Sequence, residues 1–151
     1  MNPKDQRIID DVAKFGWHVV QVMEDNEGPG FAFSVGLYQT FKHPEIIVVG
    51  LPLDRMHGII NNVGFAIRGG ARFEDGVRSG EILEKHDVIF RQVPRERYQE
   101  YLGTALWFYK NQHFPTLQCV WPDREGRFPW EEEYTDSLKA LQTLLYSTRV
   151  N

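Results

Sequence analysis

Cysteine is nearly absent: Cys119 stands alone among 151 residues. The chain therefore forms no internal disulfide and offers no Cys-x-x-Cys metal motif, a usage that fits a reducing cytoplasm. Basic excess is missing too. With 17 Lys and Arg against 21 Asp and Glu, the formal charge is −4, so the basic stripe on which nucleic-acid binding relies is not there. No apolar run approaches the roughly 18 residues of a membrane span, and the opening Met1-Asn-Pro-Lys4 is polar; neither membrane anchor nor secretion signal is expected. Gly28 and Gly30, around Pro29, complete neither G-x-G-x-x-G nor a Walker A loop. The histidines, at 18, 43, 57, 86 and 113, include no i, i+4 pair of the kind that builds a helical zinc site, so no metal is expected.

What is present is a globular composition. At 42% hydrophobic and 13% aromatic residues, the chain has material for one substantial core and excludes collagen-like and wholly disordered classes. One domain over 1–151 is the expectation.

The periodicities order the elements. Pro3 to Phe15 places Ile8, Ile9, Val12 and Phe15 on one helical face, and Gly16 stops the helix. Trp17 to Met23 is β-branched and reads as a strand, followed by an acidic loop to Gly30. Phe31 to Leu37 alternates, with Phe31, Phe33, Val35 and Leu37 on one face and Ala32, Ser34 and Gly36 on the other. Tyr38 to Pro44 reads as a polar connection. Glu45 to Leu51 is nearly continuously apolar, as in a central strand covered on both faces. Pro52 opens a helix with Met56, Ile60, Val63 and Ile67 as its stripe, ending before Gly69. A short strand is expected around Arg72 to Glu74, another over Val88 to Val93, a helix over Arg95 to Lys110 with close packing at Gly103, a strand over Pro115 to Trp121, and a last helix over Thr135 to Ser147. This mixed order predicts an α+β fold: a predominantly antiparallel sheet of about five strands with three to four helices.

Two segments attract functional attention. The bare strand face of Ala32, Ser34 and Gly36 admits either a packed helix or a flat ligand at close range. The turn from Trp121 to Trp130 sets two tryptophans and two prolines beside Asp123, Arg124, Glu125 and Arg127, an arrangement suited to gripping an aromatic or anionic small molecule, or equally to a packed surface turn. The candidate ligand-binding set is Ser34, Gly36, His43, Trp121, Arg124, Arg127 and Trp130, converging around one open cavity. Helical aromatics such as Trp107 and Tyr109 read first as core. Ser34 lacks a G-x-S-x-G elbow and Cys119 lies mid-strand, so neither is a motif-supported nucleophile.

Gly16-Trp-His-Val-Val, Gly28-Pro-Gly-Phe-Ala-Phe-Ser-Val-Gly-Leu, His43-Pro-Glu-Ile-Ile-Val-Val-Gly-Leu-Pro, Tyr101-Leu-Gly-Thr-Ala-Leu-Trp-Phe-Tyr and Phe114-Pro-Thr-Leu-Gln-Cys-Val-Trp-Pro-Asp-Arg-Glu-Gly-Arg-Phe-Pro-Trp together resemble the bacterial and viral family called domain of unknown function 4262, over nearly the whole chain. The resemblance implies a compact cytoplasmic protein in which these segments matter together. It implies no activity, cofactor or catalytic residue. The Phe31 to Leu37 strand followed by His43-Pro-Glu also looks like the core hairpin of flavin-binding split barrels, without a phosphate-anchoring cluster. The expected function is a small-molecule-binding module for an aromatic or anionic ligand. The alternatives are a hydrolase using Ser34 or His43, and a protein-interaction or immunity-type module; an exposed Trp/Phe patch would also serve a homodimer contact.

Overall fold

The computed structural model describes residues 1–146. Asn2 caps the first helix, α1 (Pro3–Phe15), by accepting from the Asp5 amide at 2.8 Å, and Gly16 closes it in the left-handed region. There follow β1 (His18–Val22), β2 (Phe31–Val35), α2 (Leu37–Phe41), β3 (Glu45–Val49), α3 (Leu53–Arg68), β4 (Arg78–Ser79), β5 (Val88–Gln92), a 3-10 turn (Arg95–Arg97), α4 (Tyr98–Tyr101), α5 (Gly103–Phe108), β6 (Thr116–Val120) and α6 (Asp136–Lys139). The strands form one sheet in the order β1-β2-β3-β6-β5-β4.

The α+β expectation holds, with corrections. The sheet has six strands and is mixed: β3 and β6 run parallel and the other neighbours antiparallel. Six helices appear among the described residues. The connection expected from Tyr38 to Pro44 contains α2, and the strand expected at Arg72 to Glu74 lies instead at Arg78–Ser79. The long helix expected from Arg95 breaks at Leu102 into short pieces. Gly103 starts the second α-helical piece and has open space around it rather than a close neighbour. The last helix is one short turn, Asp136–Lys139, and Ser147 lies outside the described residues.

Both sheet faces are covered, which is why β3 and β6 are buried at every position and why β3 reads as an unbroken apolar run. On one face α3 lays Met56, Ile60, Val63 and Ile67 over Ala32, Ile46 and Val48. On the other, Ile8, Leu102, Ala105 and Phe114 pack on Phe33, Val35, Ile47 and Val49. The small residue Ala32 thus serves helix packing. The sheet's two ends differ. β4 is two residues long and opens with an arginine, whereas β1 is a five-residue strand, His-Val-Val-Gln-Val, without charge or proline.

Candidate functional site

The expected site residues do not converge on one open cavity. Ser34 is fully buried: its hydroxyl donates to Glu45 Oε1 at 2.6 Å and accepts from the Ile46 amide at 2.9 Å. Gly36 precedes α2 with a φ of 115°, and a Cβ there would stand 2.9 Å from the Gly16 carbonyl and from Val12. His43 is buried, donates from Nδ1 to the Pro44 carbonyl at 2.9 Å and accepts at Nε2 from the Phe73 amide at 2.9 Å. Trp121 is buried and donates its indole N–H to the Val49 carbonyl at 2.8 Å. Ser34 is therefore tied to the start of β3 and Trp121 to its end, about 13 Å apart at about 3.3 Å per residue. Arg127 reaches back to Asp123 at 3.0 Å, and Trp130 stacks on Phe128 with centroids 5.3 Å apart; Arg124 is exposed. Ser34 and His43 are both closed off from solvent, and both ring nitrogens of His43 are engaged, so neither presents a reactive atom to a substrate in this structure.

The sequence reading missed what Ser34 is bonded to. Glu45 is completely buried, and its carboxylate accepts from the amides of Gly36, Leu37 and Tyr38 at 2.9, 3.1 and 3.2 Å, from Ser34 and from the Tyr109 hydroxyl. It caps α2 from outside the helix, satisfying amides that have no intrahelical partner. Burial pushes this carboxyl up from its ordinary range, opposed by its hydrogen-bond donors, Ser34 first. Burial, and then the neighbouring Glu45, likewise push the Tyr109 hydroxyl up. A charged residue at the head of an otherwise apolar strand was the available signal, because a buried carboxylate must find donors. Asp123 plays a similar part in the Trp121 to Trp130 turn. Burial works against its ionisation, yet the Arg127 amide and guanidinium and the amides of Thr135 and Glu125 hold it down at about 2.

An open cleft of about 720 Å³ lies elsewhere, along β1 between α1 and α3. Its floor is Trp17, whose indole N–H donates to Asn61 Oδ1 at 3.0 Å. The ring lies so close on α3 that a Cβ at Gly64 would be 2.4 Å from it, so glycine there is required by the contact. Phe65 meets Trp17 edge-on at 5.5 Å, and the Arg68 guanidinium sits 4.9 Å over the indole. Arg68 also donates to the Phe15 carbonyl, joining the end of α3 to the end of α1. On the α1 side, His18 Nδ1 donates to Asp11 Oδ2 at 2.7 Å, fixing a tautomer whose Nε2 is an acceptor when neutral. Phe15 and Phe65 are 49% and 56% exposed, leaving aromatic surface open beside cations. Among the described residues no serine or cysteine lines this cleft; its hydroxyl is that of Thr104 and its imidazoles are those of His18 and His57. Among the described residues no group of three metal-ligating side chains comes together, and no helix is long and apolar enough to cross a membrane.

A family model described as domain of unknown function 4262 matches residues 11–135. The chain belongs to this family. No curated protein and no solved structure matches it. The family match begins at Asp11 and so includes the His18–Asp11 pair, Trp17 and the α3 wall of the cleft, while leaving out Lys4 and Arg7. It also spans the Glu45 hub, where Ser34 and Gly36, Glu45, and Tyr109 come from three of the segments that carry the family resemblance. The last of the five, beginning at Phe114, packs on the hub through its ring, 4.7 Å from Tyr109. In this family member those segments build the scaffold's buried polar centre.

Proposed function

We propose that this protein is a cytoplasmic binding module for an anionic ligand with an aromatic or apolar part, seated in the cleft between α1, β1 and α3. The observation that carries the reading is the Arg68 guanidinium 4.9 Å over the Trp17 ring, beside the exposed ring of Phe65: a guanidinium held over a ring has donors left for an anion, and the neighbouring rings offer apolar contact. The cleft volume, about 720 Å³, suits a small organic ligand. The lone buried thiol of Cys119 is in keeping with a reducing compartment. One folding domain over 1–151 accompanies this reading.

Isothermal titration with phenyl phosphate, benzoate and flavin mononucleotide tests it. Binding by at least one probe is expected, weakened about tenfold or more in Arg68→Ala, with Arg124→Ala and Trp130→Ala behaving as wild type. If no probe binds, the small-ligand reading falls, and if Arg124→Ala abolishes binding while Arg68→Ala does not, the cleft is not the site.

A further inference from the structure

Antiparallel strands alternate residues whose backbone groups point to one neighbour with residues whose groups point to the other. The Gly50 amide donates to the Gly30 carbonyl at 2.9 Å, across the continuation of the β2–β3 register. Even-numbered residues of β2 therefore turn their backbone groups toward β3, and Phe31, Phe33 and Val35 turn theirs toward β1. These pair with Val22, Val20 and His18. The N–H and C=O groups of Val19 and Gln21 consequently point away from the sheet, along its free edge. No backbone partner meets them among the described residues.

Free edges are normally blunted by charge, proline, a bulge or shortness. β4, at the opposite end, is blunted in this way: it has two residues, Arg78 and Ser79. β1 carries none of these devices. The cleft straddles its edge, since Val19, which packs with the α3-side core, and Val20, which packs with the α1-side core, both line it. Its rim is basic within a chain of formal charge −4. Lys4, Arg7 and Arg68 line it, and none of the three takes part in an ion pair among the described residues. Of the two lining carboxylates, Asp11 is held by His18, which leaves Asp5.

We propose that the ligand of this cleft is an acidic peptide segment in extended conformation, which adds to the sheet as a strand beside β1 by bonding to the outward backbone groups of Val19 and Gln21. This rests on the reading of the cleft as a binding site and names the class of its occupant. Backbone bonds supply register, and alternate side chains supply selectivity: carboxylates on the α1 side toward Lys4 and Arg7, apolar side chains on the α3 side toward Phe65, with Arg68 at the end where α3 meets α1. A second copy of this chain fits less well, because its five-residue β1 carries no carboxylate and it would bring its own Lys4, Arg7 and Arg68 to the same edge. Glu24, just beyond the other end of β1, sets the peptide's acidic residues at the His18 end.

The probe is a synthetic peptide of about seven residues alternating valine with aspartate or glutamate, with a lysine-substituted version as control. Binding is followed by titration and by amide hydrogen exchange of the full chain. Exchange at Val19 and Gln21 is expected to slow about tenfold or more on binding. Val19→Pro removes one outward donor without touching a β1–β2 bond, which edge strands tolerate; it is expected to abolish peptide binding. The double variant Lys4→Glu with Arg7→Glu, at two exposed positions, is expected to weaken the acidic peptide about tenfold and to favour the lysine control. If the peptide binds while both amides exchange freely, strand addition is wrong and the cleft reading stands. Strand addition also falls, with the cleft reading intact, if phenyl phosphate binds and the peptide does not. If neither binds, both fall. Protection of both amides in the protein alone, with a dimer in sedimentation, would assign the edge to a second copy and overturn the peptide proposal.

Discussion

Replacing Glu45 by alanine removes the acceptor for five donors at once. The Ser34 O–H loses its acceptor too, but it can rotate while its oxygen still accepts from Ile46, and it is not counted among the stranded donors. The amides of Gly36, Leu37 and Tyr38 and the Tyr109 hydroxyl lose a partner inside the protein. A buried donor left unpaired costs about 1–3 kcal/mol. Even at the low end, with α2 free to shift, four such groups give about 4 kcal/mol against a total stability of roughly 5–15 kcal/mol for a domain. That corresponds to a fall in Tm of about 8–16 °C for a chain of this size. Urea titration followed by circular dichroism and tryptophan fluorescence measures it, with Tyr109→Phe, which removes a single donor, expected to cost about 1 kcal/mol. The account of Glu45 as the cap of α2 is refuted if Glu45→Ala unfolds within about 1 kcal/mol of wild type.

Two further predictions concern groups the fold has buried. Burial lowers the pKa of His43 below its ordinary value of 6.5, and its ring is built to be neutral, donating at one nitrogen and accepting an amide at the other. As pH falls below 6.5 the unfolded chain takes up this proton before the folded one, so the contribution to stability is complete above 6.5 and is lost on acidification. The slope of stability against pH just below 6.5 should be shallower in His43→Asn than in wild type, and equal slopes would contradict the assignment. Burial likewise pushes the Cys119 thiol up, so it should stay inert to a thiol reagent in the folded protein at neutral pH and react once the chain is unfolded in urea; fast labelling of the native protein would show that β6 is open.

The elements that depend on local pattern were readable. The apolar run of β3 announced a central strand, and the spacing of Met56, Ile60, Val63 and Ile67 announced α3 with its buried face. α2 was hidden because five residues, Leu37–Phe41, are too few to show a period and because its cap comes from Glu45, on the next strand. The break at Leu102 was hidden because the apolar stripe from Tyr98 to Tyr109 continues across it. β4 is too short to carry a pattern and is defined only by pairing with β5.

The candidate site was legible only in its residue types. Aromatics beside arginines were expected at Trp121 to Trp130, where Asp123 absorbs Arg127 and the Trp121 ring is inside. The combination that lies open is Trp17 with Asn61, Phe65 and Arg68. Its trace is the second stripe of α3, spaced four and three apart opposite the buried one. What no spacing revealed was that Trp17, far earlier in the chain, lies across that stripe and that β1 ends the sheet.

The claim that the cleft beside β1 is where this protein binds its ligand is tested most directly by titrating 15N-labelled protein with phenyl phosphate and following the tryptophan indole resonances. The Trp17 indole and the amides of Asn61 and Arg68 should shift while the Trp130 indole stays in place. A Trp130 indole that moves with the Trp17 signal unchanged would contradict the account.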